Sequence, residues 1–339
     1  MKTATYDRAS RRQLLRALGL GGTAALLGLR PGSAAAEPPP ETTRIRLHDA
    51  PIACFAPSYV AGELLGAEGF TDIQFVKTPL AEGPDRALAE GKVDFIMNDP
   101  PGHLMSLDTG APIVILAGLH SGCWELFGHE SVRSLRDLKG KKVAAPQKSS
   151  RKEFVRAMVA SVGLDPERDI VWIGHEPEES MRLFAQGKID AFMGFPPEPQ
   201  ELRARGIGHV VVNTLTDRPW SQYFCCLAAT NRTFLTRYPV ATKRALRAMI
   251  KAVELCMDDP ERAARIMVNR GVSSKYEYVL QAVQEIGYRN WRIFDAEDTV
   301  RFWALRLREA GVIGLSPKSV VAQNTDWRFI SELKRELKA

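Results

Sequence analysis

One short phrase occurs twice in the chain. Ala89-Glu90-Gly91-Lys92-Val93-Asp94-Phe95 returns as Ala185-Gln186-Gly187-Lys188-Ile189-Asp190-Ala191-Phe192. Each copy reads as the end of a helix, a glycine C-cap and a short buried strand. The two glycines stand 96 residues apart (187 − 91). That spacing is too long for a solenoid, whose period is about 20–50 residues. It fits two similar α/β lobes. Two lobes make a cleft, and a cleft holds a small ligand.

The flanking pattern agrees. Strands are expected at 44–47, 73–76, 93–97 and 113–117, with helices at 58–67, 83–90 and 101–107 between them. Such alternation argues for α/β lobes, each a mostly parallel sheet flanked by helices. The stretch Ser134 to Lys142 reads as a boundary, after which the pattern restarts. Strands at 143–145, 170–173, 189–193 and 210–212 alternate with helices at 151–162 and 178–186. One more apolar strand, 224–229, precedes a helical region with helices at 239–258, 260–270, 275–287, 296–310 and 326–337. These last helices are expected to pack on the first lobe. The length of 339 residues suits one large domain or two to three small ones.

The N-terminus carries a different signal. Ser10-Arg11-Arg12-Gln13-Leu14-Leu15-Arg16 sets a twin arginine before the glycine-rich apolar run 17–29, and Ala34-Ala35-Ala36 supplies small residues for cleavage. Residues 1–36 read as an export signal of the twin-arginine kind. They hold six basic groups and one acid, so removing their +5 from the formal +6 leaves the mature chain near +1. A concentrated basic face for nucleic acid is therefore not expected. No later stretch is long and apolar enough to span a membrane.

Five cysteines stand at 54, 123, 225, 226 and 256. An odd count leaves at least one free thiol, and the spacing matches no zinc pattern. Cys225 and Cys226, adjacent in an apolar strand, are expected on opposite faces as small buried hydrophobes. The six histidines (48, 103, 120, 129, 175 and 209) are scattered, and neither a metal site nor a cofactor is expected.

In open α/β sheets ligands lie beyond the carboxyl ends of the strands. Four stretches fall there: 50–58 with Cys54 and Phe55, 98–102 with Asn98 and Asp99, 145–151 with Gln147, Ser149, Ser150 and Arg151, and 194–198 with Phe195 and Glu198. Ser149 and Ser150 open a helix whose free N–H groups and dipole attract an anion, with Lys148 and Arg151 adding charge. The plain alternative is an ordinary N-cap. Asp99 either favours an amine or hydroxyl on the ligand or caps its own backbone. Phe55, Trp124 and Phe195 are either flat walls of the pocket or core. Glu198 either lines the pocket or starts a helix. His120 to Trp124 is placed where the chain crosses between lobes, which suits a hinge.

Taken together, the helix-Gly-Lys-Val-Asp-strand unit, Leu135-Arg136-Asp137-Leu138-Lys139-Gly140-Lys141-Lys142-Val143-Ala144, the Gln147-Lys148-Ser149-Ser150 helix start and the second repeat copy resemble the periplasmic substrate-binding proteins of the nitrate, sulfonate and taurine class of ABC importers, a class related to thiamine-precursor proteins. The resemblance spans about residues 44–270. It implies a type II two-lobed fold, with 44–118 plus 224–339 as lobe 1, 119–223 as lobe 2, and hinges near 118–123 and 221–224. It further implies a monomer in the periplasm that delivers a small-molecule ligand to an ABC permease with its ATPase in the inner membrane. Asn98-Asp99-Pro100-Pro101 and Gly194-Phe195-Pro196-Pro197-Glu198 depart from the family pattern at the cleft, so ligand specificity does not carry over. The expected function is a binding protein without catalysis for a small, anionic, organic ligand. The alternatives are an enzyme on the same fold acting on a small carboxylate or pyrimidine-like substrate, and a sensory ligand-binding module.

Overall fold

The computed structural model describes residues 37–50, 52–78, 83–146, 149–273 and 275–338. The export signal read at 1–36, Gln147 and Lys148 lie outside the described residues. The first sheet begins with β1 (Arg44–Asp49), α1 (Ala56–Leu64), β2 (Asp72–Lys77), α2 (Gly83–Ala89), β3 (Phe95–Asn98), α3 (Pro100–Asp108) and β4 (Ile113–Ser121). The chain then crosses into a second sheet. That sheet comprises β5 (Glu125–Gly128), β6 (Lys142–Ala144), α4 (Ser150–Ser161), β7 (Val171–Ile173), α5 (Pro177–Ala185), β8 (Ala191–Gly194), α6 (Glu198–Ala204) and β9 (His209–Asn213). A return crossing leads to β10 (Phe224–Asn231) and then to helices α7 (Arg232–Arg237), α8 (Pro239–Asp258), α9 (Pro260–Asn269), α10 (Tyr276–Glu285), α11 (Ala296–Glu309), α12 (Pro317–Asn324) and α13 (Arg328–Glu336).

The sheets have the same plan. Their strand orders are β2-β1-β3-β10-β4 and β7-β6-β8-β5-β9. In each, four strands run one way and one, β10 or β5, runs against them. The repeated phrase explains part of the likeness. Gly91 and Gly187 both sit at φ +68°, a left-handed conformation that glycine adopts without a Cβ penalty. Asp94 accepts the backbone N–H of Arg46 at 2.9 Å, and Asp190 accepts that of Lys142 at 2.8 Å. The backbone N–H groups of the same two aspartates reach back to the Arg46 and Lys142 carbonyls. The aspartate of each copy thus pins β3 to β1 and β8 to β6.

Asp94 also holds the Arg46 guanidinium at 2.6 Å, whereas among the described residues the Asp190 carboxylate has only the Lys142 N–H. We expect Asp94→Ala to cost about 2–3 kcal/mol and Asp190→Ala about 1 kcal/mol, measured by urea unfolding. Equal losses would show that the Arg46 pair adds nothing.

The C-terminal helices pack beside the first sheet and also reach the second lobe. α8 lies on α1, and α11 and α12 lie on α3, all beside the first sheet. However, α11 also packs on α4 of the second lobe, through a Trp303 and Phe154 edge contact at 4.5 Å. Glu285 of α10 accepts from Gln200 at 2.9 Å and from Arg203 at 2.5 Å. Amphipathic helices with polar residues on their outer faces can satisfy two neighbours at once.

One sequence expectation is corrected here. Cys225 and Cys226 do not keep to opposite faces of β10. Phe224 pairs with Ser121 and Cys226 with His120, and the register shifts on both sides of Cys226. Such a bulge adds a residue and re-aims side chains. Both sulfurs come to lie within 4.8 Å of each other and of a His120 ring nitrogen.

Candidate functional site

The loop beyond β1 meets the loop beyond β8, and the loop beyond β3 meets the start of the helix beyond β6. After β1 the chain turns at Ile52, and the N–H of Ala53 crosses to the Pro196 carbonyl of the other lobe at 3.0 Å. Cys54 and Phe55 follow, both buried. Tyr59 in α1 steadies this turn by donating to Asp49 at 2.5 Å, and it also contacts the Ala50 carbonyl at 2.7 Å.

After β3, Asp99 takes the N-cap of α3 and accepts from the Gly102 N–H at 2.7 Å. The cap alternative raised for this residue is therefore realised. The Ser150 side chain of the other lobe lies near its carboxylate. Burial pushes the Asp99 carboxyl up to about 6, and the Gly102 hydrogen bond and the nearby Ser150 side chain only partly offset that. Next to it, Asn98 donates to Asp85 at 2.5 Å. His103, fully buried, faces Asp85 through Nδ1 at 2.5 Å and the Leu227 carbonyl through Nε2 at 3.2 Å. Both ring nitrogens meet acceptors. Burial opposes charge on this imidazole, but the Asp85 carboxylate outweighs it and holds the ring above its ordinary pKa.

In the second lobe, Ser149 is the N-cap of α4. Its hydroxyl donates to Pro146 at 2.8 Å and accepts from the Lys152 N–H at 3.4 Å. Ser150 opens the helix. Arg151 turns inward: it donates to both Glu198 carboxylate oxygens, at 2.6 and 3.1 Å, and to the Met193 carbonyl at 2.9 Å. Glu198 also accepts the Phe195 N–H at 2.8 Å. The Arg151 guanidinium lies 4.1 Å from the Phe195 ring centre, and Phe195 stacks on Trp124 with centroids 4.8 Å apart and planes 9° apart. Trp124, Phe195, Arg151 and Glu198 therefore form one column. Arg151 spends its charge on Glu198, which is the first residue of α6. Trp124 is 2% exposed, and its indole N–H has no acceptor among the described residues.

The structure thus brings Asp99 and Ser150 near each other, and Trp124, Phe195, Arg151 and Glu198 into one buried column in which Trp124 and Phe195 belong to the core. Gln147 lies outside the described residues. Sequence reasoning missed the Asp85 and His103 pair, because 18 positions separate them and no local pattern links a helix acid to a neighbouring helix. It also missed the nearness of Cys54 to Cys123 and Cys226. A hollow of about 380 Å³ lined by Phe224, Trp291, Phe294 and Lys334 lies by the C-terminal helices, away from the four loops.

Residues 67–263, more than half of the chain, match the family model described as NMT1/THI5 like. The chain belongs to that family. Among curated relatives, the bicarbonate-binding protein CmpA of Synechococcus elongatus is 25% identical over 134 residues, covering 39% of this chain and 29% of CmpA. The chain therefore matches less than a third of that relative's length. The periplasmic nitrate-binding protein NrtA of Synechocystis PCC 6803 superposes with a TM-score of 0.75 at 17% identity, covering 89% of this chain and 90% of that one. The alkanesulfonate-binding protein SsuA of Xanthomonas axonopodis pv. citri, bound to MOPS, gives 0.66 at 17% identity over 86% and 100%. These likenesses establish the fold as that of periplasmic binding proteins, as the sequence resemblance implied. A desulfurization enzyme, DSZB, shares it too, at 13% identity and a TM-score of 0.61, so the fold alone does not decide between binding and catalysis. Among the described residues no helix is long and apolar enough to cross a membrane.

Proposed function

We propose that this protein is an exported solute-binding protein, working as a monomer in the periplasm and without catalysis. It captures a small anion with an organic part between its lobes and hands it to an ABC permease and its ATPase. Residues 1–36 serve as the export signal, 44–118 with 224–339 as one lobe, and 119–223 as the other. The observation that carries this reading is that strand-end loops of two like sheets approach each other in pairs, Ala53 with Pro196 and the buried Asp99 with the Ser150 end of α4. A helix N-terminus offers N–H donors and the positive end of its dipole to an anion. The unpartnered indole N–H of Trp124 is a further buried donor, and leaving it unmet is costly. The bicarbonate, nitrate and alkanesulfonate named for the similar proteins are all small anions. Carboxylates and sulfonates with a short organic part are the class favoured here.

The experiment is calorimetry of the mature chain against nitrate, bicarbonate, short alkanesulfonates and aromatic carboxylates. Ser150→Pro is the informative variant. Ser149 is extended (φ −110°, ψ 146°), as a residue before proline prefers, and proline is tolerated at the first helical position. The substitution deletes one N–H and leaves the helix. Affinity for the bound anion is expected to fall at least tenfold, since a charge-assisted hydrogen bond contributes about 1.5–3 kcal/mol. Ser150→Ala, which keeps the N–H, should lose less. Unchanged affinity in Ser150→Pro removes the α4 end from the site, and no binding of any anion in the panel overturns the reading.

A further inference from the structure

Four of the five cysteines converge beneath the cleft, which the function above does not require. They come from separate places: Cys54 from the turn after β1, Cys123 from the first crossing between lobes, and Cys225 and Cys226 from β10 just after the second crossing. The Cys54 thiol lies near those of Cys123 and Cys226, and Cys123 lies near Cys225. All are unbridged, and Cys54, Cys225 and Cys226 are buried, while Cys123 is only half-buried and gives the cluster an opening. His120, fully buried at the end of β4, joins them. Its Nε2 faces the Cys54 carbonyl at 3.2 Å, so it carries the proton and donates. Its Nδ1 has no hydrogen-bond partner among the described residues, and the Cys226 thiol lies beside the ring. A fixed N–H on one ring nitrogen and a bare lone pair on the other is the arrangement of a metal-ligating histidine, whose orientation is set by a carbonyl behind it. The ligand atoms of His120, Cys225 and Cys226 lie within 4.8 Å of one another.

We propose that His120, Cys225 and Cys226, completed by Cys54 or Cys123, bind a thiophilic d10 cation, zinc(II) or copper(I). Soft thiolates and imidazole suit these ions. Tetrahedral zinc with sulfur at about 2.3 Å and nitrogen at about 2.0 Å places its ligands about 3.5–3.8 Å apart. The cluster reaches this by a contraction of about 1 Å. Each metal–sulfur bond replaces an S–H bond and releases one proton to solvent, with no change of oxidation state. The Cys225 and Cys226 thiolates balance zinc(II), and the third, from Cys54 or Cys123, leaves the buried site with one net negative charge, far less than the separated ions would carry. The metal would fasten the two crossing segments to the turn that carries Phe55.

The site is independent of the anion site and is tested separately. Mature protein purified with a phosphine reductant is titrated with zinc(II), and in a second arm with copper(I), against a competing chelator. Bound metal is then counted by mass spectrometry of the elements. One ion per chain is expected, with X-ray absorption showing sulfur in its shell. Whichever arm saturates identifies the ion. Cys226→Ser and His120→Gln should each weaken retention at least tenfold. Where a variant unfolds, cobalt(II) bound to the wild-type chain supplies the same answer through thiolate charge-transfer absorption in the near ultraviolet. No retained metal in either arm, a shell of oxygen and nitrogen alone, or equal retention by folded Cys226→Ser overturns the proposal. Anion binding lost in Ser150→Pro with metal retained leaves it standing.

Discussion

Replacing Arg151 with alanine should destabilise the protein by about 3–5 kcal/mol, the usual loss when one partner of a buried ion pair is removed. The pair is well shielded, with side chains 10% and 19% exposed. Three things are lost together. Glu198 keeps a buried charge with only the Phe195 N–H to satisfy it. The Met193 carbonyl loses its Arg151 donor, and Phe195 loses the cation over its face. Urea unfolding followed by tryptophan emission is the measurement, since Trp124 stands in the same column. Arg151→Lys should not rescue, because a lysine cannot make the two-pronged contact. Arg151→Met combined with Glu198→Leu should recover most of the loss, because an apolar pair of similar volume is often as stable as a buried ion pair. A loss below about 1 kcal/mol in Arg151→Ala would mean the pair behaves as a surface one. The loop it holds also carries the Pro196 carbonyl that meets Ala53 across the cleft. Weaker ligand binding should therefore accompany the loss of stability.

Asp99→Asn should act in the opposite direction and depend on pH. The Asp99 carboxyl is pushed from 3.8 up to about 6, chiefly by burial. A group raised on folding contributes stability that is fully present below its unfolded value and is lost as pH rises through the folded one. The wild type should therefore lose stability between pH 4 and pH 6, by about 3 kcal/mol at most. Asparagine is an equally good N-cap and can still accept from Gly102. The variant should match the wild type near pH 4 and exceed it by about 2–3 kcal/mol at pH 7.5. Its anion affinity should be flat where that of the wild type falls through pH 6. Parallel stability profiles for the two proteins from pH 4 to 7.5 would show that Asp99 does not titrate there.

Much of the fold was legible because its signals are local. The glycine turns at 91 and 187 and the runs between them follow from periodicity and capping. The 239–258 helix was read at its observed bounds. Two things were not legible. β5 is only four residues long, and no turn chemistry announces it. The reversed direction of β10 is a property of its neighbours, not of Phe224 to Asn231 itself. The same divide holds at the site. The loops at the strand ends could be named from the sheet rule, but the use of Arg151 for Glu198, 47 positions away, could not. The sequence leaves Asp99 open between a cap and a ligand contact, and the structure shows it as the N-cap of α3. The spacing of the cysteines matched no zinc pattern, and their convergence depends on a bulge that alternation alone does not foresee.

The placement of β10 has a consequence for how the chain comes to its final shape. It is laid between β3 and β4 and pairs Asn231 with Ile113, although the whole of the second sheet intervenes in the sequence. A growing chain can therefore finish β5 to β9 while the sheet it began first still has a gap in the middle. The lobe synthesised first is the lobe completed last. Until Phe224 to Asn231 arrive, the apolar edges of β3 and β4 stand open, and such edges invite pairing with other chains. A chain stopped before residue 224 should aggregate through those edges, even with its second lobe formed.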